Sequence, residues 1–173
     1  MPVLQSTGSS RVLANAGAPS AGTSEVQTIT IGGTPTGGTF RLTYDGHTTD
    51  DIDWSSTNAT LVGNIDAALE ALPNIGTGNL TTATGTITAG IGTITVTFAG
   101  ALAKLAVDTI TVDDNSMTGT SPTIAVAETT PGVTATGRGY PKGKLITDST
   151  NGVLYINTGT STSPTWTKVG TQS

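Results

Sequence analysis

From Glu25 onward the chain alternates apolar and polar positions in short runs, and a period of two predicts β-strands. Glu25 to Gly33 sets Val26, Thr28 and Thr30 on one face against Gln27, Ile29 and Ile31 on the other. The Thr-Pro-Thr-Gly-Gly cluster at 34–38 predicts a turn, after which Phe40, Leu42 and Tyr44 share a face of the next strand. Asp45-Gly46 predicts a type I′ hairpin turn, with a return strand ending near Trp54. Further strands are predicted in 79–88, 92–100, 107–114 and 122–130, separated by Gly, Asp-Asn and Ser-Pro turn signals.

The period changes once. Leu61, Ile65, Ala68, Leu69 and Leu72 follow a spacing of three and four, which predicts one amphipathic helix over about 57–72. Ser56 or Thr57 caps its start, and Pro73 and Gly76 stop it. Gly63 inside it costs about 1 kcal/mol relative to Ala, so packing on a sheet must hold the helix. Short strands with regular turn signals and one helical crossover make the body, 25–134, a mainly β sandwich or barrel.

Both flanks differ from this body. Residues 1–24 are rich in Ser, Gly and Ala, with Val3, Leu4, Val12 and Leu13 as isolated apolar positions. Such a composition offers too little burial to offset the entropy of ordering, which predicts an extended arm held by a neighbour. In 135–173, Asn151-Gly152 and the loop 158–164 separate three short strands whose apolar content is Leu145, Val153, Tyr155 and Trp166. A unit so small and so poor in apolar residues does not fold alone. It is expected to dock on its own body or on copies of itself.

Composition refines this picture. Thr is unusually abundant, 38 of 173 residues, while charged residues make up only 11 %. Thr suits a half-wet pleated surface, because its methyl packs while its hydroxyl stays hydrated. The net charge of −5 is uneven. Residues 25–134 carry eight Asp and three Glu against Arg41 and Lys104, a net of −9. Residues 135–173 carry Arg138, Lys142, Lys144 and Lys168 against Asp148, a net of +3. An acidic body argues against nucleic acid as a partner.

Candidate chemistry is sparse. The absence of cysteine excludes disulfides, thiolate nucleophiles and Cys-type zinc sites. The N-terminus has no basic region followed by an apolar core, so no secretory signal is expected, and no apolar run is long enough for a membrane span. Synthesis is expected in the cytoplasm. Gly139 to Lys144 approaches a phosphate loop but is one residue short, and Leu145 stands where a Mg²⁺-binding hydroxyl belongs. Asp50, Asp51 and Asp53, and separately Asp113, Asp114 and Asn115, are oxygen-rich, yet neither follows the EF-hand loop and turn use is the simpler reading. His47, the one histidine, follows a turn and has no partner set for a zinc site or a triad. Trp54, Trp166, Tyr140 and Tyr155 could stack on a sugar, though packing is the commoner use of so few aromatics. No enzyme activity, cofactor or metal is expected.

Several stretches carry a resemblance: "LTYDG", "ALEALPNIG" followed by "GN", "TVTFAGALA" and the "TVD" strand, all within about 25–130. Together they resemble an immunoglobulin-like β-sandwich module of tailed-phage structural proteins. "GKLITDSTNGVLYINTG" and "PTWTKVG" are similar to a phage motif of head appendages and fibres. The resemblance implies a virion structural protein. One module with an arm and a small tail is similar to head decoration proteins, which implies a place on the capsid exterior, the major capsid protein as partner, and a homotrimer. Val3, Leu4, Val12, Leu13, Tyr155 and Trp166 are then the candidate capsid or subunit contacts. The alternatives are a tail, baseplate or fibre component, and a carbohydrate-binding module for host-surface glycans.

Overall fold

The computed structural model describes residues 21–135, 140–148 and 150–170. The arm expected over 1–24 falls almost wholly outside them, as do the candidate contacts Val3, Leu4, Val12 and Leu13. The structure is mainly β, with antiparallel sheets and one α-helix, as the patterning predicts. It groups into two compact units, Gly22–Thr134 and a second whose described residues are Ala21 and those between Ala135 and Gly170.

The larger unit is organised by a ribbon of two long strands, β1 (Val26–Tyr44) and a partner of 20 residues, Thr111–Thr130. They pair antiparallel from Val26↔Thr130 to Thr43↔Thr111. This corrects the expected turns at 34–38, at Asp113–Asn115 and at Ser121-Pro122. The Gly and Pro signals on β1 lie across the ribbon from Gly119, Ser121 and Pro122, so both strands deform together and pairing continues through bulges. An extra residue on β1 between Pro35 and Gly37 switches its inward positions from odd (Gln27, Ile29, Ile31) to even (Phe40, Leu42, Tyr44). Straight, β1 would be about 60 Å long. Instead its two ends meet: Phe98 donates its N–H to the Glu25 carbonyl and its ring lies 5.5 Å from that of Tyr44.

Doubling the ribbon gives two layers, an arrangement consistent with a β-sandwich. One layer continues from the first half of β1 to Gly92–Phe98 and then to Leu80–Thr84. The other carries two short pieces beside the second half of β1, His47–Thr48 (β2) and Ile52–Asp53 (β3). The predicted return strand is thus real but broken at 49–51. Asp45 and Gly46 both have positive φ, 43° and 75°, as a type I′ turn requires. In chain order the strands after the helix are β4 (Leu80–Thr84), β5 (Gly92–Phe98) and β6 (Thr111–Thr130).

The helix α1 (Asn58–Glu70) closes the side opposite the ribbon. Asn64 Nδ2 donates to the Asp53 carbonyl at 2.9 Å, and Asp66 accepts from the Thr82 hydroxyl at 2.8 Å, so α1 spans from β3 to β4. Leu61, Ile65 and Leu69 are fully buried with Ile29, Phe40, Leu42, Ile94, Val96 and Phe98 in a single core. Thr57 takes the N-cap position, but its hydroxyl caps nothing; Ser55 Oγ instead accepts the Thr57 N–H at 3.1 Å. No helix among the described residues is long and apolar enough to cross a membrane.

The smaller unit is a three-stranded sheet, β7 (Leu145–Asp148), β8 (Val153–Asn157) and β9 (Trp166–Lys168). It matches the three short strands expected there.

Candidate functional site

The body's chain entry and exit lie side by side. Thr23 and Val133 exchange both backbone hydrogen bonds at 2.9 Å. The loop 103–110 is stapled beside them. Lys104 donates its N–H to Ser24 Oγ at 3.1 Å, and Val107 donates to Glu25 Oε2 at 3.0 Å. Gly132 is part of the same closure, since a Cβ there would stand 2.0 Å from the Leu105 carbonyl oxygen.

Beneath this pole sits a buried polar clasp that sequence reasoning missed. Gln27, although on the inward face, is 0 % exposed, and Glu25 is 1 % exposed. Gln27 Nε2 donates to Glu25 Oε1 at 2.5 Å and to the Asp108 carbonyl at 2.9 Å, while its Oε1 accepts the Ile110 N–H at 2.8 Å. All polar atoms of the Gln27 amide are therefore engaged. Two of the three partners, the Asp108 carbonyl and the Ile110 N–H, belong to the loop that leads into β6. A polar residue at a core position of an alternating strand was the available signal. Tyr44 packs nearby, and its pKa is raised, first by burial and then by the negative charges of Asp108, Asp45 and Glu25.

In the small unit, strand register puts Tyr155, Asn157, Trp166 and Lys168 on one face, with Ile146 opposite Tyr155. Tyr155 and Trp166 are thus brought to a common face, both half-buried. Tyr140 meets Trp166 edge-to-face at 6.0 Å, and its carbonyl accepts from Asn157 Nδ2 at 2.7 Å. The buried side chains of this sheet are polar. Asn157 Oδ1 accepts the N–H of Gly159 and of Thr165, holding the loop, and Asp148 accepts from Thr150 and from both nitrogens of Asn151, holding the hairpin turn. The Asn151 side-chain bond is the main reason the Asp148 carboxyl sits below its ordinary pKa. Trp54 belongs to the body, where its indole N–H donates to the Gly90 carbonyl at 3.1 Å.

The other motifs resolve into structural uses. The Gly143 N–H donates to the Asn157 carbonyl at 2.7 Å and the Lys144 N–H to the Pro141 carbonyl at 3.0 Å, so two donors a phosphate would need are engaged. Arg41 draws the two acidic clusters together, with Asp113 at 3.3 Å and Asp51 at 3.8 Å. Asp113 is the extra residue of a β6 bulge rather than part of a turn. Among the described residues, no three His, Asp or Glu side chains are grouped to hold a metal ion. His47 is exposed on β2, opposite Tyr44. A shallow open groove runs between α1 and β4, lined by Val62, Gly63, Asp66, Leu80 and Thr82. Asp66 lies across it and accepts the Thr82 N–H, which blunts the free edge of β4.

No protein-family profile matches the chain, and no curated protein does. Among solved structures, one from Mycobacterium phage Patience is similar, with a TM-score of 0.42 and 14 % identity over 83 % of this chain and 49 % of that one. The chain thus spans about half the length of that neighbour.

Proposed function

We propose that this chain is a non-enzymatic structural protein of a tailed-phage particle, and specifically a decoration protein on the capsid exterior. The observation that carries the reading is the Thr23–Val133 pairing, which sets the chain's entry into the body and its exit from it side by side at one pole. A protein that fixes itself to a shell by one end and projects the other calls for this arrangement. The sequence resemblance to phage head proteins supports the same reading. A decoration protein binding several capsomers adds its binding free energy to the assembled lattice, and they must lose it before they separate. Val3, Leu4, Val12 and Leu13 then supply the contact with the major capsid protein, and copies of the chain associate, with three-fold symmetry matching positions the lattice offers.

The test is deletion of residues 2–20. The truncated protein is expected to keep its body fold and to lose binding to capsids. Undiminished binding would overturn the anchoring role. Labelling the protein on particles separates the capsid reading from the tail or fibre one, through many copies on the head or few on the tail.

A further inference from the structure

Of the eight asparagines in the chain, only Asn151 is followed by glycine. The pair lies in the turn between β7 and β8, and both residues are exposed. An asparagine amide carbon can be attacked by the backbone nitrogen of the next residue, closing a five-membered ring. A side chain on that next residue obstructs the approach, and glycine has none. Gly152 has φ 65°, and a Cβ on it would meet nothing within 4 Å, so the turn is open on that side. Its N–H donates to no acceptor among the described residues, so the attack costs the fold no backbone hydrogen bond.

Asn151 itself is held by one group. Its Nδ2 donates to Asp148 Oδ2 at 2.8 Å and its N–H to Asp148 Oδ1 at 3.3 Å. The clamp fastens the nitrogen that would depart, while Asn151 Oδ1 has no donor among the described residues and its carbonyl carbon is not shielded. The Nδ2 bond must open before the ring closes, which slows the reaction without preventing it in a turn exposed to water.

We propose that Asn151 is a site of spontaneous deamidation through Gly152, and that the modification releases the turn of the small sheet. The Gly152 nitrogen loses its proton to a solvent base and bonds to Asn151 Cγ. The Cγ–Nδ2 bond breaks, and Nδ2 leaves as ammonia with a proton taken from water. Water then opens the ring at either carbonyl, giving aspartate or isoaspartate, so ammonia is lost, water is gained and no oxidant is needed. Either product sets a second carboxylate against Asp148 where a donor stood. The bond that chiefly lowers the Asp148 pKa is then replaced by a like charge. Isoaspartate also lengthens the backbone within the turn that pairs Asp148 with Val153. Because polar clamps fix the turns of this sheet, β7 loosens from β8 while the body is untouched. The inference is independent of any place on a particle.

The test incubates purified full-length protein at mildly alkaline pH and follows all eight asparagines by peptide mass mapping. Asn151 is expected to convert several-fold faster than any other, with isoaspartate among its products. Gly152→Ala strains the turn, which by itself would free the amide, so several-fold slower conversion in that variant reports the attack by residue 152. Asn151→Asp, read by Trp166 fluorescence in a Trp54→Phe background, should lose the small sheet at lower urea than the parent. Faster conversion at another asparagine such as Asn115, or a rate unchanged by Gly152→Ala, would overturn the site. An Asn151→Asp sheet as stable as the parent would overturn its effect on the turn.

Discussion

Replacing Gln27 with Ala tests whether the buried clasp holds the loop 103–110 to the sandwich. The side chain is wholly buried and makes three hydrogen bonds, to the Glu25 carboxylate, the Asp108 carbonyl and the Ile110 N–H. Truncation leaves three partners without that bond in a place water reaches poorly. An unsatisfied buried group costs about 1–3 kcal/mol. The Asp108 carbonyl can turn toward solvent, because Asp108 itself is exposed. The Glu25 carboxylate keeps its bond from Val107, so neither pays the full amount. The Ile110 N–H, beside a side chain 1 % exposed, has the least freedom to find water. A loss of about 3–4 kcal/mol is expected, a large share of the 5–15 kcal/mol typical of a domain.

The assay is urea unfolding followed by Trp54 fluorescence in a Trp166→Phe background, so that the signal reports the body alone. Gln27→Glu sharpens the result. It retains an acceptor for Ile110 but removes both donors and sets a second carboxylate beside Glu25, so it should be no more stable than Gln27→Ala. A loss under about 1 kcal/mol for Gln27→Ala would refute the clasp as an anchor, since ordinary surface substitutions already reach about half that.

Three further outcomes are expected. Gly63→Ala should stabilise the protein by about 1 kcal/mol in the same assay, because a Cβ at Gly63 meets nothing within 4 Å; a destabilised variant would show that the helix needs the glycine. Tyr44 holds its proton above its ordinary pKa of 10.0. Unfolding therefore releases that proton once pH exceeds the unfolded value, and stability falls as pH rises toward the folded pKa. Tyr44→Phe should flatten that alkaline decline, and an unchanged pH profile would sink the assignment. Thermal melts with and without EDTA should coincide, whereas a drop of many degrees on chelation would make Asp50–Asp53 or Asp113–Asn115 a cation site.

Much of the fold was legible because local signals and tertiary contacts agree. The stripe Leu61, Ile65, Leu69 reads as a buried helix face and is one. Asp45-Gly46 reads as a type I′ turn and adopts it. The errors arose where a local signal is overridden across the ribbon. Thr34 to Gly38 looks like chain reversal when read alone. Its meaning depends on Gly119, Ser121 and Pro122, more than 80 residues away, which yield in step with it. Gly119 has φ +133°, and a Cβ there would stand 2.2 Å from the Thr34 carbonyl oxygen. The pairing of two sets of breakers cannot be seen from either alone. The Gln27 clasp was hidden for a similar reason, since its partners lie on a loop with no regular period.

The same contrast bears on how the two units would serve an assembly. The body satisfies itself: a doubled ribbon, a helix across the open side and one continuous apolar core. The small sheet does the opposite, burying Asp148 and Asn157 to fix its turns while its larger apolar side chains stay half open or more. Asp and Asn holding loops give a sheet its shape without much hydrophobic stabilisation, because each hydrogen bond nets only about 1 kcal/mol. A sheet shaped by polar clamps but lacking a core is ordered enough to present a surface and too weakly stabilised to remain uncovered. On the proposed reading this divides the labour physically. The body supplies stability independent of neighbours, and the small sheet would gain more of its own where a neighbour covers its apolar side chains, so that its folding and its assembly would become one equilibrium.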